Sequence, residues 1–74
     1  MIEKDELITL DDNKEYYVVD TVKLDVNYLY LINKDDKKDI IVAKEIIENN
    51  ETFIEIEDSE EKLKEVFKIL YERL

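Results

Sequence analysis

Neither glycine nor proline occurs anywhere in this chain of 74 residues, so every reversal of direction must be made by residues that carry a Cβ. Asparagine and aspartate enter the left-handed backbone region at least cost, because their short polar side chains hydrogen-bond locally. Turns are therefore expected where these two types gather: Asp11-Asp12-Asn13-Lys14, Asp25-Val26-Asn27, Asn33 to Lys38, and Glu48-Asn49-Asn50-Glu51.

The segments between these clusters are short and rich in β-branched and aromatic residues, which suits strands. Leu7-Ile8-Thr9-Leu10 marks a first strand over about 6–10. A second covers 15–24, with Val18, Asp20, Val22 and Leu24 on one parity. Tyr28 to Ile32 is apolar on both parities, as in a central strand covered on two sides, and predicts a third strand over 28–33. A fourth spans 39–47. In a fifth, 52–57, Ile54 and Ile56 face one way and the Glu side chains the other. The period then changes. Asp58 is placed to cap a helix with Glu61 three residues on, and Leu63, Val66, Phe67, Leu70 and Leu74 follow at helical spacing over 59–73. The expected fold is a single α+β domain, residues 1–74: a five-stranded antiparallel meander with one C-terminal amphipathic helix packed on it.

One helix covers one face of a sheet, yet Tyr28, Tyr30 and Ile32 share one parity while Leu29 and Leu31 occupy the other. Either the sheet curls into a half-barrel that buries both sets, or Tyr16, Tyr17, Tyr28 and Tyr30 remain exposed for a partner or a second copy.

Catalytic chemistry has few groups to work with. There is no His to act as a general base near neutral pH and no Cys nucleophile or thiolate ligand. Without Gly, no phosphate-cradling loop can form. Counting from Asp11, Asn13 and Glu15 fall at alternate positions of a calcium loop, but the Gly at its sixth place and the acid at its twelfth are missing, Val22 standing at the latter. No catalytic, cofactor-binding or metal-ligating residue is assigned, and the chain is read as a non-enzyme. Its longest apolar stretch is far short of the roughly 20 residues a membrane span needs, and it has no basic-then-apolar leader. The expectation is a cytoplasmic protein that contacts no membrane. The abundance of Lys, Asn, Ile, Asp, Glu and Tyr matches AT-rich coding, as in a low-GC bacterium or its phage.

Charge points to a partner. The chain holds 21 acidic against 11 basic residues, a formal charge of −10, which repels a phosphate backbone and favours a basic protein surface. Eight acids, Glu45, Glu48, Glu51, Glu55, Glu57, Asp58, Glu60 and Glu61, fall in a stretch without one basic residue. On a strand, Glu55 and Glu57 would sit about 6.6–6.8 Å apart, roughly twice the axial spacing of phosphates along one DNA strand. The expected function is non-enzymatic docking on a basic surface, in its sharpest form as a nucleic-acid mimic that inhibits a nucleic-acid-binding enzyme, such as a phage anti-defence protein. The alternative is a housekeeping bacterial protein that forms a homodimer through its Tyr-bearing sheet face.

Ile8-Thr9-Leu10 before an acidic turn, Val19-Asp20-Thr21 in the second strand, and Ile56-Glu57-Asp58 leading into Leu63, Val66 and Phe67 together resemble the YrzB-like family of small acidic bacterial proteins, a domain of unknown function. That pattern usually has Gly in the first turn and Pro before the Ile-Glu-Asp string, where this chain has Asn13-Lys14 and Glu55. The resemblance implies a bacterial cytosolic protein and brings no catalytic residues with it.

Overall fold

The computed structural model describes residues 1–74. Four residues have positive φ, and all are Asn or Asp: Asp5 (73°), Asn13 (65°), Asn49 (50°) and Asn50 (66°). Asn49 and Asn50 stand between Glu48 and Glu51, which pair across the ladder. This is a two-residue hairpin loop with both central residues left-handed, the turn whose twist suits antiparallel strands. Other turns are tied by their own side chains: Lys14 N–H donates to Asp12 Oδ1 at 3.0 Å and Lys38 N–H to Asp36 Oδ1 at 3.0 Å.

These turns join β1 (Leu7–Thr9), β2 (Glu15–Lys23), β3 (Asn27–Asn33), β4 (Ile40–Glu48) and β5 (Glu51–Ile56), followed by α1 (Glu60–Glu72). The strands form one antiparallel sheet in sequence order. The fold is α+β, and the sheet curls. Ile8 of β1 and Ile54 of β5, from opposite edges, pack on the same buried cluster of Tyr16, Val18, Leu29, Leu31 and Ala43. On the convex face Val22, Tyr28 and Val42 are covered by Val66 of α1, with Leu63, Ile69 and Leu70 around them. Both parities of β3 are thereby buried, as its composition anticipates.

β2 departs from a single parity. Val18 pairs with Leu31 but Asp20 pairs with Tyr30, so Val19 is an extra residue. The bulge rotates the strand, and Val18 enters the concave core while Val22 enters the core under the helix.

Two expectations about α1 are corrected. Its N-cap is Ser59 rather than Asp58: Ser59 has extended backbone, and its side chain accepts the Lys62 N–H at 3.5 Å. The buried stripe is also rotated. Phe67 lies at the border, 44% exposed, with its ring edge-on to Tyr30 at 6.0 Å, and Leu74 is fully exposed. Ile69 takes part in the covered face instead. Both helix ends are pinned. Lys62 meets Asp25 at 3.5 Å, and Arg73 donates to Thr21 O at 2.6 Å and reaches Asp20 at 3.1 Å, just beyond the bulge. The helix is neither long nor apolar enough to cross a membrane.

Candidate functional site

Of the eight acids in the unbroken acidic stretch, two do not face solvent. Glu45 is 4% exposed on the concave side. Its carboxylate accepts the Ile2 N–H through both oxygens, at 3.1 and 3.2 Å, and an Asn27 Nδ2–H at 2.9 Å. It is a clamp that holds the N-terminal segment across the half-barrel, and it is removed from the predicted docking surface. Glu57 is 8% exposed. Its backbone still pairs with β4, and its side chain lies beside Lys44 at 4.0 Å and accepts the Ser59 N–H at 3.3 Å where the chain turns into α1. The two-carboxylate ladder expected of Glu55 and Glu57 is therefore not presented to solvent.

Glu48, Glu51, Glu55, Asp58, Glu60 and Glu61 are all exposed. They run around the β4–β5 hairpin, along the open edge of β5 and over the start of α1. None of them belongs to any ion pair: the salt bridges engage Glu15, Glu57, Asp25, Glu65 and Asp20. Glu48 and Glu51 stand directly opposite each other, a like-charge pairing that disfavours the hairpin.

The four tyrosines do not form one aromatic surface. Tyr16 is buried in the concave core and Tyr28 under the helix, because the curl and the helix cover both faces of the central strands. Tyr16 O–H donates to Asp39 Oδ2 at 2.6 Å, and Asn33 Nδ2–H donates to the same oxygen at 3.0 Å. The Tyr16 hydrogen bond, with burial, pushes the Tyr16 phenol above its ordinary value, and the same bond, with that from Asn33, draws the Asp39 carboxyl below its own against the effect of desolvation. Burial chiefly, then the hydrogen bond to Asp25, raises Tyr28. For Asp25, desolvation opposes the shift, but the Tyr28 hydrogen bond and the Lys62 charge prevail and lower it. Each pair ties a strand tyrosine to an aspartate in an adjacent loop, and none of the four residues lines a cavity.

Tyr17 remains exposed and Tyr30 half-buried. Tyr17 belongs to a row of cross-strand neighbours, Leu7, Tyr17, Ile32 and Ile40, which the register places on one face of β1 to β4. Beside the helix, Tyr30, Phe67 and Tyr71 line a groove of about 480 Å³ on this convex side. The sequence concealed the row, whose members come from four strands and meet only through register.

A second groove, of about 350 Å³, lies at the seam of the half-barrel. Leu10, Asp11 and Asp12 at the end of β1 form one wall; Thr52, Phe53, Ile54 and Ile56 of β5 form the other. Phe53 and Ile56 stay substantially exposed. No three carboxylates converge closely enough to hold a metal ion.

Fold and surface together define an acidic α+β half-barrel with an open apolar seam. No family model, curated protein or solved structure matches this chain.

Proposed function

We propose that the protein is a non-enzymatic binding module that docks its acidic side on a basic surface of another protein. One observation carries this reading: the six exposed carboxylates from Glu48 to Glu61 belong to no ion pair, although the chain has 11 basic residues. Unneutralised charge concentrated on one side focuses the field outward and steers cationic surfaces to it. The target is a basic face of the kind that nucleic-acid-binding enzymes carry, and the action is inhibition by occupancy. With Glu57 buried, such occupancy relies on the distributed charge of hairpin, strand edge and helix start rather than on regular phosphate spacing.

Two variants of equal net charge test the reading. Glu51, Glu55 and Glu61 are changed to Lys in one; Glu3, Asp35 and Glu72, which lie elsewhere and join no ion pair, are changed to Lys in the other. Basic proteins captured from a bacterial lysate at low salt should fall by about tenfold or more for the first variant, the loss of roughly 1.4 kcal/mol of binding, and little for the second. Equal loss in both would reduce the interaction to net charge and sink the site.

The Leu7–Tyr17–Ile32–Ile40 row favours a second reading, self-association through the convex face. It differs from the first in needing no partner and in strengthening, not weakening, with salt.

A further inference from the structure

We propose that the seam of the half-barrel takes an extended peptide segment as a sixth strand, paired to β5, and that the segment alternates apolar with Lys or Arg side chains. This deepens the reading above and rests on it.

The backbone of β5 points to strand addition. Glu57 N–H donates to Val42 O at 2.9 Å, on the β4 side. Antiparallel alternation then directs the peptide groups of Glu51, Phe53 and Glu55 to β4 and leaves those of Thr52, Ile54 and Ile56 on the free edge. No strand pairs there, since β5 ends the sheet order. Natural edge strands are guarded against further pairing by charged side chains, lysines above all, and by prolines, bulges or extreme shortness. β5 has six residues, no Lys and no Pro, and its register with β4 is continuous. Its guard is the charge of Glu51 and Glu55, which repels an acidic strand and not a cationic one.

The side chains specify the occupant. A strand laid against Thr52, Ile54 and Ile56 has one parity turned to the concave side, where Ile54, Ile56 and Leu10 offer an apolar floor. Its other parity stands beside Glu51 and Glu55, with Asp11 and Asp12 across the seam. Apolar residues on the first parity and cations on the second are complementary to both sides. A second copy of β5 is disfavoured by the same charges: pairing centred on Phe53 sets Glu51 of each copy against Glu55 of the other, and in any register the molecules carry a charge of −10 each.

The test uses the full chain, a capped peptide of alternating valine and lysine, and a block isomer of the same composition with all its lysines at one end. The alternating peptide should bind about tenfold or more tightly than the block isomer, and in its complex the Thr52, Ile54 and Ile56 amides should exchange more slowly with deuterium. Thr52→Pro and Ile56→Pro each remove an outward donor without touching the β4 ladder, and should weaken the alternating peptide by about tenfold, as one lost strand hydrogen bond implies. The exchange measurement needs no variant, so it decides even if a proline variant misfolds. Equal binding of the two isomers, abolished by Glu51, Glu55 and Glu61 to Lys, would overturn the sixth strand and leave acidic docking standing. Binding that ignores that triple change, or no binding, would overturn both.

Discussion

Tyr16 and Asp39 show how a single hydroxyl couples two ends of the pH scale. Asp39 titrates below its ordinary carboxyl value, so its ionised form stabilises the fold above about pH 4, and that contribution is lost as pH falls through the folded value. Tyr16 titrates above its ordinary 10.0, so its protonated form stabilises below that pH, and the contribution is lost as pH rises through the raised value. Replacing Tyr16 with Phe abolishes the Tyr16 titration and removes the largest cause of the Asp39 shift, leaving the Asn33 hydrogen bond to hold part of it. The variant should be less stable at neutral pH, yet its denaturation midpoints should change less steeply both below about pH 4 and above about pH 10; unchanged limbs would mean the 2.6 Å contact does not govern them. At this scale the sequence was only partly legible. The unpaired carboxylates Glu48, Glu51, Glu55, Asp58, Glu60 and Glu61 were found by counting charge. Glu45 and Glu57 were misread as exposed because burial of an acid depends on donors distant in sequence, the Ile2 amide for one and Lys44 for the other.

Among the elements, α1 gives the sharpest ordering of effects. Val66 is 1% exposed between Val22, Tyr28 and Val42, whereas the larger Phe67 is 44% exposed. Val66→Ala should cost about 2–3 kcal/mol, the transfer loss of its methyl groups plus a cavity that cannot collapse between two elements. Phe67→Ala should cost about 1–2 kcal/mol, since half of the ring is already in water and only its edge contact with Tyr30 is added. Urea denaturation of the two variants checks the order, and a reversal would place Phe67 in the core. Element types and order were legible because Asn and Asp cluster at the turns of a chain without glycine, and because the apolar period changes from two to helical after Asp58. The Val19 bulge was not. An extra residue in a β-branched run leaves no mark on composition or period that a reader could separate from a straight strand.

For the molecule as a whole, self-repulsion competes with the apolar convex row. At an ionic strength of about 0.01 M the screening length is roughly 30 Å, comparable with the whole molecule, whose extents are 32 × 30 × 21 Å. Copies of charge −10 then repel over their entire approach, and light scattering should report a monomer. At about 1 M salt, where screening falls to roughly 3 Å, association through Leu7, Tyr17, Ile32 and Ile40 becomes accessible, and Tyr17→Lys should suppress it. A dimer at low salt, or a high-salt dimer indifferent to Tyr17→Lys, would move self-association away from this face. The curl that creates the seam was one of two outcomes open from the two-sided apolarity of β3; only the meeting of Ile8 and Ile54 on one cluster decides it. The bulge bears on heredity as well as on shape. Losing the single codon for Val19 would leave the charge untouched and every other residue of β2 on the side it already faces, because Val18 and Asp20 pair with the adjacent Leu31 and Tyr30; the strand would close up into a regular one and the gene would tolerate that one deletion.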